Sequence, residues 1–185
     1  MKNLNRLSLV LLVSTLASFV AAADSSVENL PGFVDFSELR AMANVEPIVE
    51  ISLKAPLLNM MTNLVRNEDA EAAEFMSKLF RVTVNVFESD AIDVSAVADS
   101  MNSISQDLDS KGWDRVVRVR DQEEHVDIYF RFSDDADRIQ GIAIMVAEPR
   151  GDTVLVNIVG DISVDDISAL GERFDIDELA NIDID

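Results

Sequence analysis

The chain has 185 residues with 35 acidic against 15 basic side chains, a formal net charge of −20, one histidine and no cysteine. Without cysteine there is no disulfide framework, thiol nucleophile, cysteine-ligated zinc or iron–sulfur centre, and no lipid attached through a thiol. The excess of carboxylates opposes a phosphate backbone and so excludes an electrostatic nucleic-acid binder.

Residues 1–23 read as an export signal. Lys2 and Arg6 form a positive start, Leu7 to Val20 an apolar stretch, and Ala21-Ala22-Ala23 a small-residue pattern ahead of Asp24. Cleavage is expected between Ala23 and Asp24. The apolar core is short against the ~20 residues a membrane span needs, so no stable membrane anchor is expected. Taking 23 from 185 leaves 162 residues, and losing Lys2 and Arg6 leaves 13 basic against 35 acidic side chains, a charge of −22. The product is expected to be periplasmic or secreted. Its charge favours cationic partners or divalent metals and repels anionic lipid.

Residues 24–44 form an N-terminal arm, docked in part by Phe33, Phe36 and Leu39. A single domain follows over residues 45–174. Val49, Ile51 and Leu53 alternate with Glu50, Ser52 and Lys54 in a first strand over residues 47–54. Pro56 then opens a helix, and Leu57, Leu58, Met61, Leu64 and Val65 recur at helical spacing. Asn67 to Asp69 breaks that pattern before Ala72, Ala73, Met76, Leu79 and Phe80 resume it. Residues 81–88 alternate again, with Val82, Val84 and Val86 inward and Arg81, Thr83 and Asn85 outward. The clearest helix spans residues 94–110, with Asp93 as its N-cap and Gly112 past its end.

Residues 113–120 and 125–132 read as a hairpin, and residues 139–147 and 153–159 as a second. A last helix over residues 164–174 buries Ile167, Leu170 and Phe174, with Ser163 as cap, and residues 175–185 form an acidic tail. The order β-αα-β-α-β-β-β-β-α predicts an α+β fold. Strict alternation implies one covered face, hence a two-layer sandwich: a mostly antiparallel sheet of about six strands with helices packed on one face.

His125 is expected on the polar side of its strand with Asp127, Tyr129 and Arg131, while Val126, Ile128, Phe130 and Phe132 turn inward. A general base oriented by a carboxylate would use that arrangement, but no nucleophile elbow accompanies it. Arg118 and Arg120 share a face by strand periodicity and Arg115 falls on the other. They could grip an anion, or more simply neutralise carboxylates across strands. Arg118, Arg120, His125, Asp127, Tyr129 and Arg131 together make the candidate partner-binding face.

Arg150-Gly151-Asp152 spells an adhesion tripeptide, although glycine and aspartate suit a hairpin tip on turn geometry alone. Asp134-Asp135-Asp137 and the tail carboxylates Asp175, Asp177, Glu178, Asp183 and Asp185 offer oxygens for calcium, without the spacing of a calcium loop. No catalytic residue, cofactor or resident metal is assigned.

Several short motifs carry a resemblance. Pro31 to Phe36 (PGFVDF), the strand running into Ala55-Pro56-Leu57-Leu58, Gly112-Trp113 before the hairpins, and Ile158-Val159-Gly160-Asp161-Ile162 before the last helix resemble the bacterial domain-of-unknown-function family 4252. The resemblance implies a small exported bacterial protein with no catalytic positions to carry over. Several members are lipoproteins, and this chain lacks their lipid-accepting cysteine.

The leading expectation is a non-catalytic protein-interaction module of the cell envelope, its partner another envelope protein. The alternatives are a small-ligand or divalent-cation-binding module and a hydrolase using paired carboxylates.

Overall fold

The computed structural model describes residues 27–37, 46–88, 94–120, 125–148, 151–163 and 165–167. The export signal with its Ala23/Asp24 junction, Leu39, Asp93, Arg150 and the tail from residue 168 onward lie outside the described residues.

In chain order the elements are β1 (Val49–Lys54), α1 (Ala55–Val65), α2 (Ala70–Ser77), β2 (Leu79–Phe87), α3 (Val94–Ser110), β3 (Asp114–Arg120), β4 (His125–Phe132), β5 (Arg138–Ala147) and β6 (Thr153–Ser163). The strands form one antiparallel sheet in the order β1-β2-β6-β5-β4-β3. The α+β class and the six-stranded antiparallel sheet expected from the sequence are therefore found. β6 pairs with β2 on one side and β5 on the other, bringing the N-terminal strands against the two hairpins.

Local chemistry sets the helix ends. Proline near the N-terminus of α1 supplies a preset φ where no intrahelical N–H is needed. At α2 the Asp69 carboxylate accepts from the Ala72 N–H at 2.9 Å, and Glu71 lies in the first turn, where the helix dipole favours negative charge. α3 closes on Gly112 at φ +76°. The Trp113 N–H donates to the Leu108 carbonyl at 3.1 Å and the Gly112 N–H to the Asp109 carbonyl at 3.3 Å, the paired bonds of a Schellman stop.

Helices stand on both faces of the sheet, where one covered face was expected. On the first face Met101, Ile104 and Leu108 of α3 pack with Phe87, Tyr129, Ala143, Met145 and Leu155. On the second, Leu58 of α1 packs with Leu79, Phe130, Ile139, Ile142, Ile162 and Ile167. Tyr129 and Phe130 are sequence neighbours on a strand, so these two clusters are on opposite sides. Strand alternation separates two faces; it does not say how many are roofed.

The arm completes the first core through Val34 and Phe36. Buried Asn157 holds it: its Oδ1 accepts from the Val34 N–H at 3.1 Å, and its Nδ2 donates to the Gly32 and Ile142 carbonyls at 3.0 and 3.2 Å. The arm runs so close to β5 that a Cβ at Gly32 would sit 1.8 Å from the Gln140 oxygen. Only a residue with no side chain fits there. The Arg81 guanidinium lies 5.6 Å from the centre of the Phe33 ring.

Candidate functional site

The proposed outward face of β4 is roofed. Asp127 and Tyr129 are fully buried, at 0% exposure each, because their side of the sheet is the one α3 covers. The Asp127 carboxylate accepts from Arg118 Nε at 3.0 Å and from an Arg120 terminal nitrogen. Burying an ion is costly unless it is paired and hydrogen-bonded; here both carboxylate oxygens have a guanidinium. The Arg118 side chain stays 42% and that of Arg120 31% exposed. The bond to Asp127 raises the Arg118 pKa further above its already high value.

Arg115 joins the same side. Its terminal nitrogen donates to the Tyr129 hydroxyl at 2.9 Å, and its guanidinium lies 5.6 Å from the ring centre. Simple periodicity put Arg115 opposite Arg118. A bulge between Arg115 and Val117 inserts one residue and restores both arginines to one face. Half-buried His125 is placed across from Arg120 and Ala147. Arg131 donates to the Phe132 carbonyl at 2.8 Å. Of the six candidate residues, Arg118 and Arg120 therefore close over buried Asp127, while the cation on buried Tyr129 is Arg115.

The open surface is on the other side. Register carries Ile51, Val84, Val156, Ile144, Ile128 and Val117 across the whole sheet in one row, and Val49, Val86, Val154, Val146, Val126 and Val119 in the next. At the edges Val49 and Ile51 are each 41% exposed and Val119 37%. The interior members are half-buried, as expected of side chains flanked by strand neighbours on both sides. The third row, from Leu53 through Val82 and Ile158 to Ile142 and Phe130, is where α1, α2 and Ile167 pack. α1 itself leaves Leu57, Met60 and Leu64 exposed, although helical spacing made Leu57 and Leu64 core candidates.

The aliphatic stripe was visible in the sequence only as strand periodicity. Val84, Val86, Val126 and Ile128 were read as inward, and Asn85, Asp127 and Tyr129 as outward. Burial reverses this: Asn85 is buried with Asp127 and Tyr129. The available signal was the β-branched content of alternate positions in every strand, which exceeds what one core row requires.

Ser163 and Asp166 are tied to each other and to Lys78 beside the covered row. The Ser163 N–H and hydroxyl donate to Asp166 Oδ2 at 2.8 and 2.5 Å, and the Asp166 N–H donates back to the Ser163 hydroxyl at 3.3 Å. This reciprocal capping box confirms Ser163 as the cap of the turn that follows. Lys78 Nζ donates to both Asp166 oxygens at 2.8 and 3.0 Å. Burial pushes the Asp166 pKa up, but the bonds from Lys78 and Ser163 outweigh it and hold the group below the usual carboxylate range. The bond to Asp166 raises that of Lys78.

The remaining motifs are turn chemistry. Asp135 accepts from the Ser133 hydroxyl at 2.6 Å and from the Asp137 N–H at 3.4 Å, beside Ala136 at φ 59°. The Ser133 bond leads in lowering the Asp135 pKa. The Gly151 N–H donates to the Glu148 carbonyl at 3.2 Å, closing a turn. Among the described residues no group of three or more histidine, aspartate or glutamate side chains is placed to hold a metal ion. Nor is any described helix long and apolar enough to cross a membrane.

The fold thus defines an α+β protein built on a six-stranded antiparallel sheet. Residues 43–170 match the family described as Domain of unknown function (DUF4252), and the chain belongs to that family. No curated protein and no solved structure matches it.

Proposed function

We propose that the protein is a non-catalytic interaction module exported to the bacterial envelope, and that the aliphatic stripe is where it meets another envelope protein. One observation carries the reading. Two full rows of valine and isoleucine cross all six strands; only Ile144 and Ile128 of the row nearer the helices touch the cluster that α1 covers, and no member of the outer row does. A contiguous apolar surface of this kind is what partner sites look like. The export part of the reading is supported by Lys2, Arg6, the apolar run and the Ala23/Asp24 junction.

Site-specific photocrosslinking in living cells tests it. A photoreactive residue at Val156 is expected to trap one envelope protein in stoichiometric yield, while the same residue at Glu71 on α2 traps none. N-terminal sequencing of the exported product is expected to begin at Asp24. Equal trapping from both positions, or none from Val156, would remove the stripe as the docking surface.

A further inference from the structure

The aliphatic stripe ends on carboxylates. β2, β6 and β5 meet at Phe87, Thr153 and Ala147. Glu88, Asp152 and Glu148 are the next residues beyond that end of the sheet, on the side of the Val86, Val154 and Val146 row. All three acids are exposed, and among the described residues none has an ion-pair partner. An apolar band and an anionic border therefore run side by side across the sheet.

The band has the footprint of one helix. Six strands spaced about 4.8 Å apart make it about 24 Å long, and two rows make it about 10 Å wide with side chains. An α-helix is about 10 Å across and rises about 1.5 Å per residue, so about 16 residues fill that length. We infer that the stripe binds an amphipathic helix of another protein, with leucine-like side chains on the valine rows and lysine or arginine against Glu88, Glu148 and Asp152. This rests on the interaction reading above and gives its partner a chemistry.

Charge separates that partner from the other candidates. A second copy would bring an identical acidic border to the face and set two chains of formal charge −20 against each other. The chain's own segment 168–185 has six acidic side chains against Arg173 alone. An anionic lipid surface is repelled for the same reason. A cationic helix gains from both parts of the surface, the apolar contact supplying affinity and the charges selecting the partner.

Fluorescence anisotropy with two labelled peptides tests this on the purified protein. Both are helices of about 16 residues with leucine on one face; the other face carries lysine in one peptide and glutamate in the other. The lysine peptide is expected to bind at least tenfold more tightly. Glu88→Lys/Asp152→Lys should reverse the preference. Val84→Thr/Val156→Thr, which keeps side-chain shape, should weaken the lysine peptide tenfold or more with an unchanged circular dichroism spectrum.

Equal, stripe-dependent binding of both peptides would overturn the cationic partner while leaving the interaction reading in place. Lysine-peptide binding untouched by the threonine pair would overturn docking on the stripe. So would failure of both peptides to bind. Affinity that rises on deleting residues 168–185, or a dimer dissolved by the threonine pair, would overturn the inference in favour of the chain's own segment or a second copy.

Discussion

The two faces of the sheet divide the residues of a single strand in an unexpected way. Along β6, Thr153, Leu155, Asn157 and Val159 are buried, Leu155 in the core with α3 and Asn157 against the arm, while Val154, Val156 and Ile158 between them are only half-buried. The same division runs through β4, with Asp127 and Tyr129 inside and Val126 and Ile128 half-open. Polar groups are thus enclosed on one side while aliphatic ones meet solvent on the other. A buried polar group needs a partner, and Asn157 and Asp127 have theirs in the arm and in two arginines. The aliphatic side needs only something apolar laid over it. One face is finished by the described chain; on the other the cover takes in one row of three and touches Ile128 and Ile144 of the next.

The largest expected effect tests that division on adjacent residues. Leu155 is 0% exposed, so Leu155→Ala should leave a cavity and cost about 3 kcal/mol. Val156→Ala, one residue along on the open face, should cost about 1 kcal/mol, since its neighbours already touch water. Denaturant unfolding of both variants measures the gap. Similar costs would mean that the stripe is as enclosed as the core, and the contrast between faces would fail.

Much of this architecture was legible in the sequence. Residue alternation and helical spacing located the six strands and the three helices α1 to α3, Gly112 marked a real helix end and Ser163 a real cap. Which face is covered was not legible. Alternation of Val126 and Ile128 with Asp127 and Tyr129 states that they differ; the roof over Asp127 comes from α3, which is distant in sequence. The bulge at Val116 was equally hidden, because an inserted residue in a strand leaves no compositional mark, and it moved Arg115 to the other side. The arm's grip through Asn157 joins residues more than a hundred positions apart. No local pattern carries that.

Asp127 gives the second test. Its carboxylate is enclosed while its two arginines keep a solvent route. Removing one partner of a buried ion pair costs about 3–5 kcal/mol when the remaining charge is stranded. Here Asp127→Ala leaves guanidiniums that can turn to water, so the expected cost is lower, about 2 kcal/mol. Arg118→Ala leaves Arg120 on the carboxylate and should cost about 1 kcal/mol. Thermal melts of the two variants decide it. A larger loss from Arg118 than from Asp127 would mean that the arginines are held in place by more than this carboxylate, and that the polar side of β4 is not organised around it.

The smallest effect concerns the pin at the covered end of the open face, where Lys78 meets Asp166. The Asp166 pKa is lowered in the fold, so its contribution is present above the unfolded value of about 3.9 and is lost as the pH falls through the lower folded value. The Lys78 pKa is raised, so its contribution is present below the unfolded value of about 10.4 and is lost as the pH rises through the higher folded value. The tie is therefore whole between about pH 5 and pH 9. The side chains are 23% and 16% exposed, and the pair should be worth about 1 kcal/mol. Lys78→Met keeps most of the apolar stem and removes the charge. Its melting temperature should fall below that of the parent protein by about 2–4 °C in that window, and the difference should narrow as the pH falls through the lowered Asp166 value. A deficit that persists unchanged into acid would assign the loss to packing of the lysine stem. The segment ending at Ile167 would then be held to the sheet by apolar contact, like the rest of the covered row.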